Sequence, residues 1–293
     1  MSTSLEAPVE APPIQRRLPW PAIAWFGVLL VALYAPVLAF LMRTWQGEDM
    51  GHGYFVPLAA GYIIWQSRDE LLSMEPRTNW WGLAVIFYAF FQLFIATLGA
   101  EVFLARTSFV ISLFGIVLLL CGTEITRKLA FPLFLLFFMV PIPAVAYNRI
   151  TFPLQILASK LATAALTVID IPVAREGNVL ELPSQKLSVV EACSGIRSLL
   201  TLTFLSLVYG YFFEKRNWLR ILLFVATVPI AILANSSRIT ITGILSQVKP
   251  ELAEGFFHES TGWVIFMIAF TIMIGFHYVA ARIAGLLFKR RQA

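Results

Sequence analysis

The sequence is poor in charged residues, which make up only 13% of its 293 positions, whereas hydrophobic residues make up 59%. The mean hydropathy is +0.79. A soluble domain contains about 25% charged residues, so this composition excludes a soluble enzyme and indicates a polytopic membrane protein. The net charge of +5 does not indicate nucleic-acid binding, because the basic residues flank apolar runs as topology signals do.

Cysteine and histidine are also scarce. The two cysteines, Cys121 and Cys193, have no paired spacing, and the three histidines, His52, His258 and His277, lie far apart. Neither set has the spacing of a zinc site. We therefore predict no metal and no other cofactor.

Long apolar runs dominate the chain. A spanning helix needs about 20 apolar residues, and nine segments come near this length: 20–42, 54–72, 80–99, 107–122, 128–147, 150–170, 193–213, 219–244 and 262–287. Segment 150–170 is the least hydrophobic, because it contains Gln155, Lys160 and Asp170. We predict that it is an interfacial or re-entrant helix and that the other eight segments span the membrane. The predicted fold class is an all-α polytopic membrane protein.

The basic residues favour a topology with both termini inside the cell. Arg16 and Arg17 precede the first segment, and the strongest inside signals are the loop EKRNWLR and the tail FKRRQA. We predict that residues 1–19, rich in Pro, Ala and Glu, form a disordered cytoplasmic tail. Residues 20–288 would form a single transmembrane domain, and residues 289–293 a basic cytoplasmic tail.

A polar stretch precedes Cys193 on the predicted outer side. Its sequence, AREGNVLELPSQKLSVVEA, has a Gly-Asn turn signal and two short alternating runs. This pattern predicts a small hairpin that caps the outer membrane face.

Three reactive residues that are far apart in the sequence reach one membrane depth in this topology. Cys193 begins a helix at its outer end, and His258 lies in an outer loop just before the last helix. Arg238 lies near the outer surface, because its helix starts inside at about 219 and rises about 1.5 Å per residue. A cation lowers the pKa of a thiol, a histidine transfers protons near neutral pH, and an arginine stabilises an oxyanion or holds a carboxylate. Together they suffice for acyl transfer through a thioester.

Other residues are candidates for supporting roles. Arg197, one turn from Cys193, is an alternative cation, Glu191 lies beside the thiol, and His52 lies between two glycines in GHGYFVP. The three reactive residues also have ordinary interpretations: packing for the thiol, snorkelling for the arginine and solvation for the loop histidine.

Several stretches resemble a known family. EACSGIRSL (191–199), NSSRITITG (235–243) and HESTGW (258–263) look like the cysteine, arginine and histidine motifs of the exosortase/archaeosortase family, in the expected order. GHGYFVPLAAGYIIW (51–65) and REGNVLELP (175–183) look like further landmarks. The family consists of membrane-embedded cysteine transpeptidases that process C-terminal (PEP-CTERM) sorting signals. The resemblance covers nearly the whole chain apart from its N-terminal tail.

The resemblance implies that Cys193 is the nucleophile, His258 the general acid/base and Arg238 the electrostatic partner. The implied substrates are exported proteins with a Pro-Glu-Pro motif, a transmembrane helix and a basic C-terminal tail. Cleavage would occur at the outer face of the bacterial inner membrane, with transfer to a cell-surface or extracellular acceptor or to water. Some family members carry a fused soluble domain; since this chain ends at Ala293, we expect any such accessory to be a separate soluble protein.

Two non-enzymatic alternatives remain. A transporter or polysaccharide-export subunit should have polar sites near the midplane and often has internal repeats, whereas here the polar residues cluster at one face and no repeat is visible. A membrane scaffold leaves the coincidence of Cys193, Arg238 and His258 unexplained.

Overall fold

The computed structural model describes residues 18–188, 195–249 and 255–290. Its helices are α1 (Trp20–Trp45), α2 (Phe55–Gln66), α3 (Arg68–Ser73), α4 (Trp81–Leu98), α5 (Val102–Leu135), α6 (Ala144–Val168), α7 (Gly195–Phe213), α8 (Asn217–Val248) and α9 (Gly255–Arg290). Short 3₁₀ helices cover Glu48–Tyr54 and Leu136–Met139, and three strands are β1 (Ala174–Glu176), β2 (Val179–Glu181) and β3 (Lys186–Ser188).

The described helices confirm a predominantly α-helical multi-pass membrane protein. Six helical stretches within the described ranges are long and apolar enough to cross a membrane: Trp20–Trp45, Trp81–Leu98, Val102–Met139, Ala144–Val168, Asn217–Val248 and Ser260–Leu286. A shorter apolar helix covers Ser198–Phe213. Most of the predicted non-crossing segment 150–170 lies in α6, which is one of the six by length and composition. Eight crossings with one interfacial or re-entrant helix remain a prediction.

Helix α5 departs from the predicted boundaries. Two separate segments were expected at 107–122 and 128–147, but α5 continues as one helix from Val102 to Leu135 and includes Arg127 and Lys128. Lys and Arg are good helix formers, so they can mark a membrane side without ending a helix. The helical geometry is interrupted at Gly122, where φ is 83° and ψ is −178°.

The described residues form two compact units. The first comprises α1 up to Thr44 and the segment Tyr54–Val140, and the second comprises Trp45–Gly53 and the described residues from Pro141 onward. The first unit has a core of α1, α4 and α5 around Leu30, Tyr34, Leu93 and Ile116.

Polar side chains in the first unit find partners between helices. Tyr34 Oη donates to Ser108 Oγ (3.1 Å) and lies 2.9 Å from Ser112 Oγ. Gln92 Nε2 donates to Thr107 Oγ1 at 2.8 Å. Lipid offers no hydrogen-bond partners, so these contacts satisfy groups that would otherwise be costly in a bilayer.

The second unit contains the predicted hairpin and extends it by one strand. The sheet is antiparallel in the order β1-β2-β3, and Gly177 in the β1–β2 turn has φ of 62°, as the first central residue of a type II′ turn requires. Leu180 and Leu187 face each other across β2 and β3. The sheet shares a buried core with α6 and α8, formed by Ala158, Ala162, Leu166, Leu180, Leu182, Leu187 and Ile239.

Helices α7, α8 and α9 complete the second unit as an antiparallel group. Only three residues connect α7 to α8, so the two helices pack as neighbours that run in opposite directions. Their shared core with α9 contains Leu202, Leu223, Ala231 and Met273. This arrangement brings the start of α7, the later part of α8 and the start of α9 to one end of the group.

Candidate functional site

The candidate site lies at the end of the α7–α9 group where three sequence motifs meet. Ser198 comes from the first turn of α7, within EACSGIRSL. Asn235 and Arg238 are three residues apart in NSSRITITG and therefore lie on one face of α8. Gly262 belongs to HESTGW on α9. These four residues, from three motifs, line one cavity.

The cavity has a volume of about 10 Å³, which accommodates about one water molecule. Its polar groups are the Arg238 guanidinium, the Asn235 amide and the Ser198 hydroxyl, and its remaining described lining is apolar: Leu202, Ala231, Ala234, Ile265, Phe266 and Ala269. Asn235 is buried and Arg238 is half-buried. A cation and an amide donor in a partly buried site can stabilise a small anionic group more strongly than they could in water.

Gly262 and Arg238 are in close contact within this cavity. A Cβ atom added to Gly262 would lie 2.9 Å from Cζ, 3.0 Å from Nη2 and 3.3 Å from Nε of Arg238. Real Cβ atoms essentially never approach a heavy atom more closely than 3.0 Å. The guanidinium therefore occupies space that any other residue at position 262 would fill.

The structure describes the remaining predicted site residues to different extents. Glu191 and Cys193 lie outside the described residues. Arg197 and His258 lie on α7 and α9, and their side chains are outside the described part of the structure. Position 258 lies four residues, or about one helical turn, before Gly262 and so on the same face of α9.

His52 belongs to the same compact unit as the cavity, through the segment Trp45–Gly53. Its side chain is buried, in the 3₁₀ helix Glu48–Tyr54. The two glycines that flank this histidine differ: a Cβ at Gly53 would overlap the Trp45 indole, whereas Gly51 has open space around it.

A second polar cluster lies at the opposite end of the α7–α9 group. The side chain of Glu214, between α7 and α8, accepts three hydrogen bonds from Arg216. The Arg216 donors are Nε (3.0 Å), Nη2 (3.1 Å) and the backbone N (2.8 Å). His277 Nε2 on α9 lies 3.1 Å from Glu214 Oε2, and Tyr209 Oη lies 3.1 Å from His277 Nδ1. Arg220 Nε donates to the Glu214 backbone carbonyl at 2.6 Å.

The Arg216 hydrogen bonds dominate the electrostatics of this cluster. They lower the pKa of Glu214 to about 2, although burial acts in the opposite direction. The same hydrogen bond raises the pKa of Arg216. Glu214 is therefore ionised at neutral pH and can only accept hydrogen bonds, so His277 Nε2 carries the proton.

Sequence reasoning identified only part of these two clusters. His277 was noted as one of three scattered histidines, and Glu214 only as part of a topology signal. Ser198, Asn235 and Gly262 stood inside quoted motifs without roles of their own. The i, i+3 spacing of Asn235 and Arg238 was the available signal for Asn235. Within the described residues, no three His, Cys, Asp or Glu side chains group as a metal site would require.

Residues 44–275 match the model of the transmembrane exosortase family (Exosortase_EpsH). No curated protein and no solved structure matches the chain. The matched range contains all the predicted site residues, from His52 to His258.

Proposed function

Because this chain belongs to the transmembrane exosortase family, we propose that it is a membrane-embedded cysteine peptidase or transpeptidase. Its substrates would be exported proteins with PEP-CTERM-like sorting signals: a Pro-Glu-Pro motif, a transmembrane helix and a basic tail. It would cleave near the motif and transfer the new carboxyl end to a cell-surface or extracellular acceptor, or to water.

The observation that carries this proposal is the cavity at the start of α7 and α9. Ser198, Arg238 and Gly262 line it together, and each belongs to a different one of the three motifs. Cys193 precedes Ser198 by five residues, and position 258 is one turn from Gly262. The convergence of the three segments supports a shared chemical role for them.

In the proposed reaction, the Cys193 thiolate attacks the carbonyl carbon of the scissile peptide bond. A C–S bond forms, and the carbonyl oxygen becomes an oxyanion that Arg238 stabilises. His258 then donates a proton to the departing amine as the C–N bond breaks, leaving a thioester. An acceptor nucleophile or water attacks the thioester, His258 takes up its proton, and Cys193 leaves as the thiolate.

We propose an oxyanion role for Arg238, because this cation lines the cavity together with Asn235 and Ser198. Loss of one oxyanion donor typically costs about 100- to 1,000-fold in rate. Arg238→Ala should therefore reduce the rate of processing on this scale. If Arg197→Ala shows such a loss and Arg238→Ala does not, Arg197 is the key cation instead.

We also propose that the protein resides in the bacterial inner membrane with its active site at the outer face. Arg216 and Arg238 are 22 positions apart along the chain, which corresponds to about 33 Å of helix and matches a hydrocarbon core of about 30 Å. The basic loop around Arg216 favours the cytoplasmic side. The cavity, at the other end of α8, would then face the exterior.

The test is co-expression with a tagged reporter protein that ends in a Pro-Glu-Pro motif, a helix and a basic cluster. Wild type should shorten the reporter, and Cys193→Ala should leave it intact while still inserting in the membrane. Cys121→Ala is the matched control, because Cys121 is buried in the first unit, and it should process the reporter like wild type. Processing by Cys193→Ala would rule out the thiol mechanism.

A further inference from the structure

We infer that Gly262 is a positioning residue for Arg238: its missing side chain lets the guanidinium lie flat on α9 and so sets the direction of its N–H donors. The catalytic meaning of this inference rests on the proposed function. The contact itself does not, and it can be tested separately.

The three distances show which part of the guanidinium contacts Gly262. The guanidinium is planar. An atom that approached it within this plane, between two of its nitrogens, would be closer to those nitrogens than to the central carbon, Cζ. The added Cβ is instead closest to Cζ (2.9 Å), and farther from Nη2 (3.0 Å) and Nε (3.3 Å). Gly262 therefore lies against the face of the guanidinium.

This orientation decides where the donors of Arg238 point. Its N–H bonds lie in the guanidinium plane, so they run along the surface of α9 instead of into its backbone. The cavity shared with Asn235 and Ser198 lies beside the same group. One turn earlier on this face of α9 is position 258. The plane of the guanidinium is thus fixed beside the helical turn that carries the proposed general acid/base.

Glycine is otherwise an unfavourable residue within a helix, and α9 contains others that have no such contact. Gly275 and Gly285 have open space where a Cβ would be placed. Alanine at position 275 should therefore be tolerated. Alanine at position 262 requires the guanidinium to shift away from α9, which would change the direction of its donors.

The first experiment compares rates of reporter processing for Gly262→Ala and Gly275→Ala, after confirming that both variants insert in the membrane. We expect Gly262→Ala to process the reporter at least about tenfold more slowly than wild type, because a misdirected arginine loses part of its contribution to transition-state stabilisation. Gly275→Ala should stay within about twofold of wild type. Wild-type processing by Gly262→Ala would overturn the inference.

The second experiment tests the contact without using the reporter. Melting temperatures are measured in detergent for wild type, Gly262→Ala, Arg238→Ala and the double variant. We expect Gly262→Ala to shift the melting temperature less favourably when Arg238 is present than when it is absent. In the Arg238→Ala background the same change should raise it, because alanine favours the helix and no guanidinium is in the way. An equal shift in both backgrounds would overturn the inference.

The two experiments separate the inference from the proposed function. If wild type does not process the reporter, the proposed function fails, and the melting temperatures still decide whether Gly262 positions Arg238. If wild type processes the reporter but the melting temperatures show no coupling, the proposed function stands and only the inference about Gly262 fails.

Discussion

Replacing Glu214 with glutamine tests how strongly the polar cluster between α7, α8 and α9 stabilises the protein. The Glu214 side chain is only 6% exposed and its partner Arg216 is 37% exposed. Glutamine keeps the shape of the side chain but removes the charge that Arg216 and His277 contact. Arg216 can then turn to solvent, so the variant does not leave a fully buried cation.

The magnitude follows from the pKa of Glu214, which falls from its ordinary value of 4.5 to about 2. At about 1.4 kcal/mol per pH unit, this difference corresponds to about 3 kcal/mol of unfolding free energy at neutral pH. Hydrogen bonds to a charged group contribute about 1.5–3 kcal/mol each. We therefore expect Glu214→Gln to cost about 2–3 kcal/mol at neutral pH.

The effect should depend on pH in a defined direction. Because folding lowers the pKa of Glu214, its contribution is fully present above about pH 5 and is lost progressively as the pH falls toward about 2. The melting temperatures of wild type and Glu214→Gln should be measured in detergent from about pH 7 to about pH 3. They should differ most at neutral pH. The curves of wild type and Glu214→Gln should converge as the solution becomes acidic.

Glu70→Gln is the matched control. Glu70 pairs with Lys128 at 2.6 Å but its side chain is 59% exposed, and exposed pairs contribute only about 0–1 kcal/mol. Parallel pH curves for wild type and Glu214→Gln, or equal losses in the two glutamine variants, would refute this account of the cluster.

Three further predictions concern packing. Gly82→Ala should lower the melting temperature, because a Cβ at position 82 would overlap the backbone of α5 at Leu119. Gly61 has open space around it, so Gly61→Ala should not lower the melting temperature. Equal melting curves for the two variants would contradict this prediction. Gly122→Ala should cost more than about 1 kcal/mol in thermal unfolding, because φ of 83° is unfavourable for alanine. Leu180→Ala removes a fully buried side chain and should cost about 2–5 kcal/mol; limited proteolysis should then cut the strand region faster than in wild type.

The local features of this fold were largely predictable from the sequence. Long apolar runs predicted the helices, since a bilayer leaves a chain few other ways to satisfy its backbone. The Gly177–Asn178 pair predicted a turn between two strands, and β1 and β2 meet there. Both signals are local: each depends only on residues that are adjacent in the chain.

The features that were missed depend on contacts between distant residues. The segments 107–122 and 128–147 were expected to be separate, but whether a helix continues past Arg127 and Lys128 depends on what packs against it. The contact of Glu214 with His277 joins positions 63 residues apart, and no local pattern indicates it. Gly262 is similar, because its role becomes visible only when the Arg238 side chain is placed against it.

The hydrogen bonds of Tyr34 have a consequence for the biosynthesis of the first unit. Its partners Ser108 and Ser112 follow it by 74 and 78 residues, so α1 is synthesised well before they exist. Neighbouring helices α4 and α5, joined by three residues, can pair as soon as both have emerged. Only 11% of the membrane span of α1 is buried within the protein, and this helix is apolar enough to be stable in lipid until its partners are synthesised. The first helix of this unit to be synthesised therefore completes its packing only after α5 has been inserted.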